Sequence, residues 1–238
     1  MKHFLLIHGS WHGAWCWFKI VPRLSAHGTV AAVNLPGRGR DPAAAHTVDL
    51  DTMVAAAERH LPAEGRTTIV VHSRYGIVAS VLAERHPDRI ERVIYLASFM
   101  LPDGDSVAKW GQTDTASLIL PNMDINMTEL WDWLRPEAYR EALYADCGED
   151  DVALANALLC REPMRPAGEK LVLTGGRYGL VPRAYIRLTE DMAVSLDLQD
   201  RLIEASPPDR VESIAASHSA YFSQPDKLTE TIVSLARV

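Results

Sequence analysis

Thr67-Thr68-Ile69-Val70-Val71-His72-Ser73-Arg74-Tyr75-Gly76-Ile77-Val78-Ala79-Ser80 is the stretch whose reading decides the fold. Ile69, Val70 and Val71 form the β-branched apolar run expected of a strand in a sheet covered on both faces. Ile77, Val78 and Leu82 then recur at helical spacing. Ser73 falls at the junction. A serine on a sharp strand-to-helix turn has its hydroxyl pushed clear of the sheet edge, and the helix N-terminus points at whatever binds there. The usual G-x-S-x-G pattern of such a turn reads Val71-His72-Ser73-Arg74-Tyr75 here, with Gly76 one place late.

Outward from this turn the chain alternates. Phe4 to Ile7 reads as a strand, followed by the loop His8-Gly9-Ser10-Trp11-His12-Gly13 and a helix over Ala14 to Leu24. Val30 to Leu35 is the next strand and ends in the turn cluster Pro36-Gly37-Arg38-Gly39. A helix is expected from Thr47 to Leu61, capped by Asp49 or Asp51. After the central turn comes a helix to about Glu84 and a strand from Arg92 to Ala97. Strand and helix in regular alternation imply a parallel sheet with helices on both faces, and ligands then sit at the carboxyl ends of the strands. Ser10, Ser73 and Ser98 all fall at such ends.

From about residue 101 to 181 the alternation stops. Trp110, Leu130, Trp131, Trp133 and Leu134, and the run Val152 to Leu159, suggest amphipathic helices punctuated by Pro163, Pro166, Gly168, Gly175 and Gly176. The expectation is a mostly helical cap over the sheet edge. Alternation resumes with strands at Ala184 to Thr189 and Val211 to Ala215 and helices at Leu196 to Ala205 and Asp226 to Ala236. The fold class is therefore α/β: one domain over residues 1–238, with a mostly parallel central sheet and a cap at about 101–181.

Composition excludes several functions. The 238 residues are 47% hydrophobic, enough for a sizeable core. A net charge of -7 without a basic run gives no footprint for nucleic acid or an anionic membrane. Three cysteines (Cys16, Cys147 and Cys160) without C-x-x-C spacing argue against structural zinc and a disulfide framework. The apolar run Phe4 to Ile7 is too short for a signal peptide, and no run is long enough to span a membrane. A soluble cytoplasmic protein is the expectation. The sequence sets no oligomeric state and leaves a homodimer open.

A serine nucleophile needs a base in hydrogen-bond reach, held by a third group. In a sheet of this kind the chain order is serine, acid, histidine. Among nine histidines only His218 follows the cap, just after the last strand. Asp191 stands at the end of the preceding strand, with Glu190 its competitor. Acyl transfer also needs an oxyanion hole, expected from the backbone N–H groups of Arg74 and Ser10. Gly9, Trp11, Tyr75, Trp110 and Trp131 are the candidate substrate-lining residues; cap packing accounts equally well for the tryptophans. His8 and His12 are four apart, but Gly9 and Gly13 spoil a helix there and no metal site is expected.

Phe4-Leu5-Leu6-Ile7-His8-Gly9-Ser10-Trp11-His12-Gly13-Ala14-Trp15-Cys16-Trp17 resembles the N-terminal signature of α/β-hydrolases of the plant methylesterase and hydroxynitrile lyase group and their bacterial relatives. Leu35-Pro36-Gly37-Arg38-Gly39-Arg40-Asp41, Tyr144-Ala145-Asp146-Cys147, Tyr185 to Asp191 and Ser217-His218-Ser219 resemble further segments of that group. The resemblance implies a cofactor-free serine hydrolase of small esters with a helical cap. In it Ser73 is nucleophile, His218 base, Asp191 acid, and Ser10 and Arg74 the oxyanion donors. Amides and carbamates are further substrate classes for such a site. Lyases of the group carry a lysine after the catalytic histidine and a threonine or asparagine after the first-loop histidine; here these are Ser219 and Gly9, so hydrolysis is favoured. The rivals are a lyase or decarboxylating step with His218 as base, and a non-catalytic binding protein whose turn is spoiled by Val71 and Tyr75.

Arg74 breaks a local rule, since a cation in the first turn of a helix opposes the macrodipole. An acidic cap residue, an anionic substrate or solvent alone is the expected partner of its guanidinium.

Overall fold

The computed structural model describes residues 2–38, 41 and 43–237. Gly39 and Arg40, which close the expected turn motif after the second strand, lie outside the described residues. Nine strands are described: β1 (His3–Ile7), β2 (Thr29–Val33), β3 (Thr67–His72), β4 (Ile90–Leu96), β5 (Met123–Asn126), β6 (Trp131–Leu134), β7 (Glu162–Pro163), β8 (Arg183–Leu188) and β9 (Arg210–Ile214). Six of them form one sheet in the order β2-β1-β3-β4-β8-β9, every pair parallel. β3 lies inside this sheet, paired with β1 and β4, so its carboxyl end is also the middle of the sheet edge.

Period-two alternation divides the core. Phe4, Leu6, Val70, Ile94 and Ile186 join one buried cluster, and Leu5, Ile7, Ile69, Val71, Val93 and Tyr185 join the other. Successive side chains point to opposite faces of a strand, so the middles of β1, β3 and β4 are continuous apolar runs because both faces are covered.

The helices follow the expected places: Leu196–Ala205 has the expected bounds, Pro225–Leu235 and Gly76–Arg85 lie within a residue of theirs, and the two N-terminal ones are shorter. The segment 14–24 is a 3₁₀ turn at Ala14–Trp17 and a separate helix Ile20–Leu24. Pro22 explains the break, because it lacks the N–H that a continuous helix would use and is tolerated only in a first turn. The expected helix from Thr47 contracts to Leu50–Glu58, where the Asp49 side chain accepts the Thr52 N–H as an N-cap.

The segment between β4 and β8 departs from expectation. It carries helices at Val107–Gly111, Tyr139–Leu143, Glu149–Leu158 and Arg165–Gly168, but also a three-stranded antiparallel sheet, β5-β6-β7. Trp131 to Leu134, expected to be helical, is strand β6. Asp132 and Leu134 turn inward while Trp131 and Trp133 are half-buried. Asn126 accounts for the difference. Its side-chain oxygen accepts the N–H groups of Thr128 and Glu129, an Asx turn that folds β5 back onto β6.

Candidate active site

Ser73 begins a short 3₁₀ turn between β3 and the helix Gly76–Arg85. Its φ is +55°, a left-handed conformation that costs a non-glycine residue energy and persists only where the surroundings over-determine it. Here its carbonyl accepts the Phe99 N–H at 3.1 Å and the Ser98 hydroxyl at 2.6 Å, both from the end of β4. The displaced glycine is explained by the same contact: a Cβ on Gly76 would press on the Phe99 carbonyl and lie 2.6 Å from Ser98 Oγ. The turn needs its close approach at residue 76, which leaves position 75 free for a tyrosine.

Ser73 Oγ lies 3.0 Å from His218 Nε2, and His218 Nδ1 lies 2.7 Å from Asp191 Oδ2. All three side chains are buried. Asp191 Oδ1 is occupied by the N–H groups of Ala193 and Val194, so the carboxylate is fixed and its other oxygen is left for the imidazole. Glu190 is exposed and turns away. Behind His218, the His72 Nε2–H donates to the His218 carbonyl at 3.0 Å. Asp146 accepts both the backbone N–H and the hydroxyl of Ser217, so the loop that carries His218 is held by the inserted segment as well.

The first loop is held by two imidazoles. His8 Nε2 accepts the Leu35 N–H, which leaves Nδ1–H to donate to the Gly9 carbonyl at 2.8 Å. The Ser10 N–H lies on the opposite edge of that peptide plane. His12 Nδ1–H donates to the Ser10 carbonyl at 2.6 Å, and its Nε2 accepts the Tyr144 hydroxyl. These bonds need neutral rings. Burial, reinforced by nearby positive charge, holds His8 well below the usual histidine range and His12 down to about 3. His72 is lowered well below its usual value by burial and by His218.

Ser10, Trp11, Ser73, Arg74 and His218 border a cavity of about 370 Å³. Its walls are mainly apolar: Phe99, Val107, Ile119, Leu120, Met123, Ile125, Leu130, Met164, Val194 and Leu198, most of them from the inserted segment. Of the five residues expected to line it, only Trp11 does so among the described residues. Gly9 is instead a close-approach residue, since a Cβ there would come within 2.9 Å of Ser73 Cβ. Tyr75 is fully buried behind the turn, its hydroxyl taken by Arg38 and Glu162. Trp110 packs away from the cavity with its indole N–H on Asp105. Trp131 borders a different groove and carries the Arg161 guanidinium over its ring. Strand alternation explains Trp131, because it points opposite to Asp132.

Arg74 has an acidic cap partner. Its guanidinium makes two bonds to Asp132, at 2.7 and 3.2 Å, with both side chains nearly inaccessible. Burial lowers its affinity for a proton, but Asp132 and Glu162 more than offset this, and the group stays charged. Sequence reading missed Asp132, Glu162 and Arg38 as parts of the site. The alternation Trp131-Asp132-Trp133-Leu134 was the available signal, since a strand reading turns Asp132 inward with Leu134.

A parallel sheet with a serine at a left-handed turn, a histidine and an aspartate on successive strand ends, and an inserted roof defines a class of protein. The chain matches the alpha/beta hydrolase family over residues 4–231 and belongs to it. Over its full length it is 30% identical to a chloroplastic Arabidopsis thaliana protein that carries the name methylesterase 11, and it spans 64% of that protein. A solved methylesterase from Arabidopsis matches with a TM-score of 0.86 and 27% identity over 98% of both chains. Tomato methylketone synthase I in complex with 2-tridecanone matches with a TM-score of 0.88 and 27% identity, over 99% of this chain and 97% of that one. The family expected from the N-terminal motif is thus the family found.

Proposed function

We propose that the protein is a serine hydrolase that cleaves small, largely apolar carboxylic esters through an acyl-enzyme on Ser73. The observation that carries this reading is the Ser73–His218–Asp191 hydrogen-bond chain opening into an apolar cavity. Likeness to proteins named methylesterases supports the ester class.

With Nδ1–H donated to Asp191, His218 presents Nε2 as an acceptor to the Ser73 hydroxyl. Ser73 Oγ attacks the ester carbonyl carbon as its proton passes to His218 Nε2. The carbonyl oxygen becomes an oxyanion facing the N–H groups of Ser10 and Arg74. Asp191 stabilises the imidazolium without taking its proton. Collapse expels the alkoxide, which takes the proton from Nε2 and leaves as the alcohol. Water then repeats the attack on the acyl-enzyme, with His218 as base, and releases the carboxylic acid. The walls are mainly apolar and Arg74 is paired with Asp132, so apolar acid and alcohol groups suit the cavity.

A fluorophosphonate probe tests the reading. Labelling of the protein that disappears in Ser73→Ala, together with turnover of p-nitrophenyl or methyl esters, is the expected result. A folded protein that takes no label points to the second reading, proton-transfer or decarboxylating chemistry by His218. The likeness to tomato methylketone synthase I, whose name is not that of an esterase, is the observation behind this second reading.

A further inference from the structure

Asp132 on β6 and Glu162 on β7 are directly opposed across the antiparallel pair. Like charges in that arrangement destabilise a sheet, and buried carboxylates are costly without partners. Asp132 is 3% and Glu162 0% exposed. Such a breach of local rules tends to lie where function requires it, and the partners of the two acids show what it serves.

Glu162 Oε2 accepts the backbone N–H of Trp11 at 2.6 Å, while Oε1 takes Arg38 and the Tyr75 hydroxyl. Asp132 Oδ1 accepts the Trp11 indole N–H at 3.0 Å, and the same carboxylate grips Arg74. The Ser10–Trp11 peptide is therefore clamped at both ends, its carbonyl by His12 and its N–H by Glu162. Trp11 itself is held at φ +59°. Ser10, through the Trp11 peptide, and Arg74, through its guanidinium, are both tied to one cross-strand pair of acids in the inserted segment; in the acyl-transfer reading these two residues donate to the oxyanion.

We propose that Asp132 and Glu162 are positioning residues that set the oxyanion donors from above, so that the insertion completes the catalytic site rather than only covering it. This rests on the acyl-transfer reading. Donors lower a barrier most when they are aimed before charge develops; His8 restrains the Gly9–Ser10 peptide from below, and Glu162 adds a second restraint from above through the next peptide.

The test begins with the wild-type protein, where fluorophosphonate labelling lost in Ser73→Ala secures the underlying reaction. Asp132→Asn and Glu162→Gln are then compared with wild type for kcat and KM on a neutral p-nitrophenyl ester. The Ki of a trifluoromethyl ketone, whose serine adduct carries an oxyanion, is measured alongside. The expected result is a kcat lower by roughly 10- to 100-fold, KM within about threefold, and a ketone Ki that rises in step with the loss in kcat/KM. A loss carried by KM with ketone affinity unchanged, or wild-type kcat in both variants, overturns the proposal. Asp132→Asn keeps the shape and an acceptor but leaves the buried Arg74 charge uncompensated; should it not fold, Asp132→Asn/Arg74→Gln, which removes both charges, replaces it. Should Glu162→Gln not fold, Glu162→Gln/Arg38→Gln removes both buried charges and replaces it. A wild-type protein that takes no label defeats the hydrolase reading itself; labelling with unaffected variants defeats only this inference.

Discussion

Position 73 carries the strain and position 191 sets the proton. Asp191 accepts the His218 Nδ1–H and so decides which nitrogen faces the serine. Asp191→Asn presents an amide instead and favours the tautomer whose Nε2 is already protonated. Its kcat on a p-nitrophenyl ester should fall roughly 10³- to 10⁴-fold with little change in thermal midpoint. Near-normal turnover would show that Asp191 does not set the tautomer. Gly9 makes a different demand. An added Cβ meets Ser73 Cβ and His72 Nδ1, both at 2.9 Å, and His72 cannot yield without releasing the His218 carbonyl. Gly9→Ala should slow fluorophosphonate labelling roughly 10²-fold, the cost of an ångström-scale misplacement. Unchanged labelling would mean that the loop shifts freely. Ser73, Asp191 and His218 were legible because each sits at a strand end and the order along the chain is fixed. Gly9 was legible only as a glycine, and its task depends on which atoms the fold brings beside it.

At the scale of elements, β3 was the easiest to read and β6 the hardest. β3 is buried on both faces, so composition alone marks it. β6 is four residues long and pairs with a two-residue strand, too short for its period to outweigh four bulky side chains that also suit a helix. The consequence is energetic as well as topological, because β6 carries the Asp132 that buries Arg74. Removing one member of a buried pair leaves an uncompensated charge. Arg74→Met should therefore cost about 3–5 kcal/mol in urea unfolding, and Arg74→Met/Asp132→Leu should recover most of it. Additive losses would show that the two charges do not stabilise each other.

Across the whole molecule, three buried histidines link stability to pH. His8, His12 and His72 are held neutral, each with a folded pKa below the unfolded value near 6.5. Above that value neither state carries the extra protons and their full contribution to stability is present. As pH falls below it, the unfolded chain takes up protons that the folded protein refuses, until the folded pKa is reached, about 3 for His12. Each ring then removes up to about 1.4 kcal/mol per pH unit. The urea midpoint should drop between pH 7.5 and 5.5, before most carboxylates titrate; a flat midpoint would show that the rings are not refusing protons. The sequence by itself determined the parallel sheet, the turn at Ser73 and the order in which Ser73, Asp191 and His218 reach the strand ends, because these follow from local periodicity and from one rule of chain order. Only the tertiary structure decided that the inserted segment carries a small antiparallel sheet and is tied to the loop after β1. Trp11 finds Glu162 across 151 residues and Arg74 finds Asp132 across 58. Contacts at such separations come from how packed elements meet, and no window of sequence contains both partners.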